Sequence, residues 1–215
     1  MNRDARVLRE LLTAHGRTYA EEAGIRLADT PQPLYRLYVL SLLLSARIRA
    51  SVAVAAARAL HEDRLDSPRR MAEAGWQRRV DALGRGGYRR YDERTATQLG
   101  DGAALLTERW HGDLRRLHRE AAGDVAALGD LLQEAPGIGP AGASIFLREA
   151  QRVWPDIAPY LDAKALSGAA RLGLPEDPGE LTGLAGDTEP AALAAALVRA
   201  ALDAHVAEDC LRRAA

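Results

Sequence analysis

The residues of this chain best suited to do chemistry lie between Ala135 and Leu166, in the stretch APGIGPAGASIFLREAQRVWPDIAPYLDAKAL. It opens with Pro136-Gly137-Ile138-Gly139 and closes around Asp162, a carboxylate two positions before Lys164. Between two helices, a first glycine can end one helix at positive φ, and a second lets an approaching group touch backbone. The amides opening the next helix have no partner within it and sit at the positive end of its dipole. Together these make a seat for an anion, which in nucleic acid is a backbone phosphate. The same spacing also suits a tight turn that needs glycine only as a cap. Asp162 admits a bland use as well, as an N-cap accepting from the amide of Ala165 or a neighbour. Lys164 is the only lysine in the chain, and Tyr160 lies close to the acid.

The elements that must position these groups are helices. Alanine, leucine and arginine dominate the 215 residues, and all three favour helix. A chain of this length can bury the core of one large domain or two small ones. Net charge is −1, less basic than a generic nucleic-acid binder, yet a phosphate held by backbone amides needs no basic surplus. One cysteine, Cys210, excludes a disulfide framework, a four-thiolate zinc site and an iron–sulfur cluster built within the chain. The five histidines show no metal-ligand spacing, so no metal or cofactor is expected. MNRDARVLRELL lacks the apolar core of a signal peptide, and the run Leu37 to Leu44 is too short to span a bilayer. The expectation is a cytoplasmic monomer with no membrane partner.

Apolar spacing near 3.6 recurs throughout, with no convincing alternating strand. It predicts helices over Arg3 to His15, Leu34 to Ala46, Ser51 to Leu60 and from Ser67-Pro68 onward. After the breaker Gly84-Arg85-Gly86-Gly87, a long helix is expected from Tyr88 to Trp110, with shorter ones begun by Asp113 and Asp124. Pro140 to about Val153 follows the glycine corner, and Asp162 caps a helix ending near Gly173. Gly173 to Pro190 reads as connection, and a last helix runs from Glu189 to about Ala207 behind an Asp187 or Thr188 cap, with Leu193, Leu197, Leu202 and Val206 as its apolar stripe. An all-α fold of about ten helices results.

Three ordered stretches resemble the helix-hairpin-helix DNA glycosylases of the endonuclease III superfamily. Ala135-Pro136-Gly137-Ile138-Gly139 is similar to the family's Leu-Pro-Gly-Val-Gly, Trp154-Pro155-Asp156-Ile157-Ala158 to its Trp-Pro-x-Ile-Ala, and Leu161-Asp162-Ala163-Lys164 to its aspartate closely followed by histidine. Upstream, Leu42 to Leu60 resembles the Leu-Leu-Ser-Ala-Gln stretch and its following helix, and Leu83 to Leu99 the loop and helix near the DNA wedge. The likeness spans about Leu34 to Gly173. It departs at Ala141, where bifunctional members carry a catalytic lysine, in the missing cluster cysteines, and in Pro159-Tyr160-Leu161, which lengthens the approach to Asp162.

The resemblance implies a two-lobed all-α fold, endonuclease III-like, with residues 28–153 in a central lobe and 1–27 plus 154–215 in a second, the substrate lying between them. It implies Asp162 as the acid that stabilises positive charge on the sugar, or orients the attacking water, as a base leaves, with Tyr160 as a pocket residue and Lys164, in the place of the family's histidine, as a secondary site residue. DNA contacts are expected from Gly137, Ile138, Gly139 and Ala141, with Ile138 tucked between the helices. Arg47 and Tyr88, with Arg89 and Arg90 beside it, are the candidates to fill the space of an extruded base. Arg47 equally fits a solvated helix end, and Tyr88 a hydrophobic staple. The expected partner is double-stranded DNA with a lesion or mismatch. The expected activity is that of a monofunctional N-glycosylase, the alternative being a non-catalytic binder of distorted DNA.

Overall fold

The computed structural model describes residues 2–214, and among them there is helix and loop but no strand. In chain order the helices are α1 (Arg3–His15), α2 (Tyr19–Glu22), α3 (Pro31–Leu44), α4 (Ala50–Glu62), α5 (Pro68–Glu73), α6 (Trp76–Arg85) and α7 (Asp92–Trp110). They continue with α8 (Leu114–Ala121), α9 (Val125–Gln133), α10 (Pro140–Ala150), α11 (Ala163–Arg171), α12 (Pro178–Ala185), α13 (Pro190–Leu202) and α14 (Ala204–Ala214). None is long and apolar enough to cross a membrane.

Local chemistry explains the starts. Ser67, Asp113, Asp124 and Asp162 each accept a hydrogen bond from an amide in the first turn of the helix they precede. Each satisfies a donor the helix cannot, worth about 1 kcal/mol. Five expectations are corrected. Tyr88 to Tyr91 is loop rather than helix, because α6 runs on through Gly84 and the turn is made at Gly87, where φ is +80°. The Gly173–Pro190 connection contains α12, started by Asp177 accepting from Glu180 N and by Pro178 at its first position. The last helix is two, bent by 111° at Asp203, whose extended backbone (φ −130°, ψ 116°) ends α13 and whose side chain accepts from His205 N. Leu202 falls at that bend and is exposed, so the apolar stripe ends before it. The α13 cap residue is Glu189, not Asp187 or Thr188.

The chain divides into two compact units, one of residues Ala20 to Leu147 and one joining the segment up to Tyr19 with everything from Arg148 onward. The boundaries therefore fall at 20 and 147 rather than 28 and 153. Near them the Tyr19 amide donates to Glu149 Oε1 at 2.9 Å, tying two distant segments into one unit.

In the larger unit α3 is the centre. Leu34, Tyr35, Leu37, Tyr38, Val39, Leu40, Leu42 and Leu43 are all buried, on every side of the helix, as a helix apolar all round requires. The terminal unit is built on α13, where runs of alanine separate the leucines. Gly168 of α11 packs so closely on it that an added Cβ would overlap the Leu197 carbonyl oxygen.

Candidate nucleic-acid interface and carboxylate site

The glycine corner is held in shape from both sides. Asp124 caps α9 by accepting from the amides of Ala126 and Ala127, and Arg109 pairs with Glu134 just beyond the helix end. The Ile138 amide donates to the Ala135 carbonyl at 3.0 Å, closing the turn. Gly137 sits at φ +90°, the left-handed region that other residues rarely enter, and a Cβ there would stand 3.0 Å from Gln98 and Leu42. Ile138 is buried and contributes packing rather than a DNA-facing side chain. Gly139 then offers its carbonyl to Ala143 N, and Pro140 opens α10 at the position where a missing N–H costs nothing.

What this leaves is a set of unpaired donors. Among the described residues the amides of Gly139, Ala141 and Gly142 have no hydrogen-bond partner. Ala141 is exposed, and the side of Gly139 that a Cβ would occupy faces open space, whereas Gly142 is buried against Ile138 and Ser45. The dipole of an eleven-residue helix lies behind them.

Beside the corner lies a cleft of about 320 Å³, lined among others by Ser45, Arg47, Tyr91, Arg94, Gln98 and Gly137. Arg47, Tyr88 and the hairpin, distant in sequence, thus meet at one cleft. The guanidinium groups of Arg47, Arg49, Arg89 and Arg94 have no ion pair or hydrogen bond among the described residues, and that of Arg90 stands 5.3 Å from the Tyr91 ring centroid. Most arginines elsewhere that lie near an acid are paired with it, as Arg69, Arg70, Arg85, Arg109 and Arg115 are. Unpaired positive charge is what a phosphate-tracking surface needs.

Tyr88 is a correction. It is only 2% exposed, and its hydroxyl accepts from Thr95 Oγ1 at 3.2 Å, so it is a wall of the cleft and not a side chain free to enter a base stack. Burial pushes its phenol up, against a smaller opposing effect of the Thr95 hydrogen bond, so the ring stays neutral. Arg47, Arg89 and Arg90 remain exposed. Tyr91, Arg94 and Gln98 belong to the same cleft and were not foreseen: Tyr91 ends the loop that was expected to be helix, and Arg94 and Gln98 stand on α7.

Asp162 belongs to the terminal unit. The approach to it runs through a 3-10 turn at Pro155–Ile157 and a cis Ala158–Pro159 peptide. Gln151, itself buried, straps this segment: its Oε1 accepts from Tyr160 N at 2.7 Å and its Nε2 donates to Tyr160 O at 3.1 Å. Tyr160 is half-buried and held by its backbone. Asp162 Oδ1 accepts from Ala165 N at 3.1 Å, the cap expected of it. Arg148 adds a partner that no local spacing signals, fourteen residues upstream: its Nη1 lies 3.0 and 2.8 Å from the two carboxylate oxygens. The Asp162 and Arg148 side chains are 14% and 12% exposed, so the pair is largely withdrawn from water. Lys164 is exposed in the first turn of α11, its carbonyl accepting from Ser167 Oγ. No group of acids, histidines and cysteine among the described residues could hold a metal ion.

Compared with models of known families, with curated proteins and with solved structures, the chain matches none.

Proposed function

We propose that this chain binds duplex DNA at a damaged or mismatched base and hydrolyses the N-glycosidic bond of that base, as a monofunctional DNA glycosylase of base-excision repair with an endonuclease III-like fold. One observation carries the reading: the partnerless amides of Gly139 and Ala141 at a glycine-opened helix start, beside a cleft edged by unpaired arginines. Such amides, backed by the helix dipole, fix a backbone phosphate without reading sequence. The chemistry comes from the motif resemblance. Asp162, at the motif's aspartate, would face positive charge growing on the sugar, an attraction that increases toward the transition state and so lowers the barrier. A base must first leave the stack, at a cost of a few kcal/mol that side chains entering the gap offset; exposed Arg47, Arg89 and Arg90 fit that task. Ala141 has no amine with which to form a Schiff base, which makes strand cleavage by lyase chemistry foreign to this site.

The test is a panel of lesion duplexes incubated with the protein and then treated with hot alkali. Strand breaks that require the alkali and vanish in Asp162→Asn are the expected result. A borohydride-trapped adduct on abasic DNA that is lost in Lys164→Ala would overturn the monofunctional assignment.

The Arg148–Asp162 pair favours a second reading, a non-catalytic binder of distorted DNA. A carboxylate with both oxygens facing a guanidinium presents a dipole rather than a lone charge, and its pull on a cation at a distance weakens accordingly. On this reading lesion duplexes bind more tightly than intact ones and no base is released.

A further inference from the structure

Phosphate contacts leave one group in the cleft without work. The side-chain amide of Gln98 has no hydrogen-bond partner among the described residues, although the residue is only partly exposed. It lies against the hairpin, with its Cδ and Oε1 each 3.0 Å from where a Gly137 Cβ would stand. Water can answer this partly exposed amide while the cleft is open, but not once the cleft is filled, so whatever enters is favoured if it answers both donor and acceptor. An amide offers a donor and an acceptor side by side.

The cleft limits what can enter. At about 320 Å³ it stands at the small end of ligand sites, with room for a planar ring system. Tyr91 supplies an aromatic ring, already approached by the Arg90 guanidinium at 5.3 Å, as a stacking surface. Arg47 and Arg94 at the same cleft supply charge for the phosphates that flank such a ring.

Building on the DNA-binding reading, we propose that this cleft seats an unpaired nucleobase of a distorted duplex and that Gln98 reads it. On the edge that carries N7, adenine alone sets a donor (N6) beside an acceptor (N7), the pattern to which a glutamine amide pairs both its groups, so adenine read on that edge is the preferred base. On the same edge a carboxylate, which only accepts, matches the lone N4 donor of cytosine and is repelled by the N7 of adenine.

Fluorescence anisotropy of the full chain with four duplexes that differ only in one bulged nucleotide tests this. The bulged-adenine duplex binds about tenfold more tightly than the other three, the scale of one good paired contact. Gln98→Leu loses that tenfold advantage, and the isosteric Gln98→Glu moves the preference to bulged cytosine; the isostere carries the test even should leucine disturb the hairpin. Equal binding of the four by the unmodified chain, or an adenine preference that survives both substitutions, overturns the base assignment and leaves the DNA-binding reading standing. Failure to bind any of the four overturns both.

Discussion

Asp162 performs two tasks that substitution separates. Asn keeps an oxygen for the Ala165 amide but loses the charge facing Arg148, whereas Ala loses both. Leaving one member of a buried pair uncompensated costs about 3–5 kcal/mol, and slight solvent access puts this pair at the lower end. The lost cap adds about 1 kcal/mol. Urea unfolding should therefore rank the unmodified chain above Asp162→Asn, and Asp162→Ala below it by about 1 kcal/mol. Asp66 gives a pH signature in the other unit. Its side chain is 2% exposed and accepts from Gln32 and Arg70, with His61 Nδ1 at 3.1 Å. Burial pushes its carboxyl up, but Arg70 and His61 together outweigh burial and hold it below the usual carboxylate range. A lowered folded-state pKa contributes stability that is present above the unfolded value, about 3.9, and is lost as pH falls through the folded one. Unfolding free energy should thus decline below about pH 4, and Asp66→Asn should flatten that decline in an acid-range urea series. The acid Asp162 was visible in sequence because its motif is local; its partner Arg148 was not, because the pairing is made only when α10 and the Gln151-strapped segment come together.

The hairpin is legible as an element for the same local reason. Gly137 needs positive φ, Pro140 suits a first helical position, and both demands are met within a few bonds of the residue. The anion seat can be tested by charge. Ala141→Asp places a carboxylate at the positive end of the α10 dipole, which should stabilise the fold by about 0.3–1 kcal/mol. The same carboxylate should repel a phosphate from the open amides, lowering duplex affinity about tenfold or more. Melting temperature rising while binding falls is the expected pair of readings; unchanged binding would show that phosphate does not sit there. Elements were misread where composition outweighed capping. The glycines and acids of 173–190 suggested loop, yet Asp177-Pro178 started α12. Gly84 suggested a break, yet α6 continued through it because its turn is buried through Ala82 and Leu83.

For the molecule as a whole, a net charge of −1 hides a local surplus: Arg47, Arg49, Arg89, Arg90 and Arg94 lie close in sequence or at one cleft. DNA affinity should consequently fall with salt despite the acidic pI, and Arg94→Ala should reduce the slope of log affinity against log salt by about 1, as removal of one phosphate contact does. A slope unchanged in Arg94→Ala would remove that residue from the phosphate path. By itself the sequence determined the all-helical character, the caps at Ser67, Asp113, Asp124 and Asp162, and the shape of the glycine corner, since each follows from propensity and bonds between near neighbours. Only the tertiary structure decided that Tyr88 is a wall, that Gln98 stands free against Gly137, and that Arg148 faces Asp162. Burial and ion pairing depend on which distant helices pack together, and no residue's neighbours along the chain encode that.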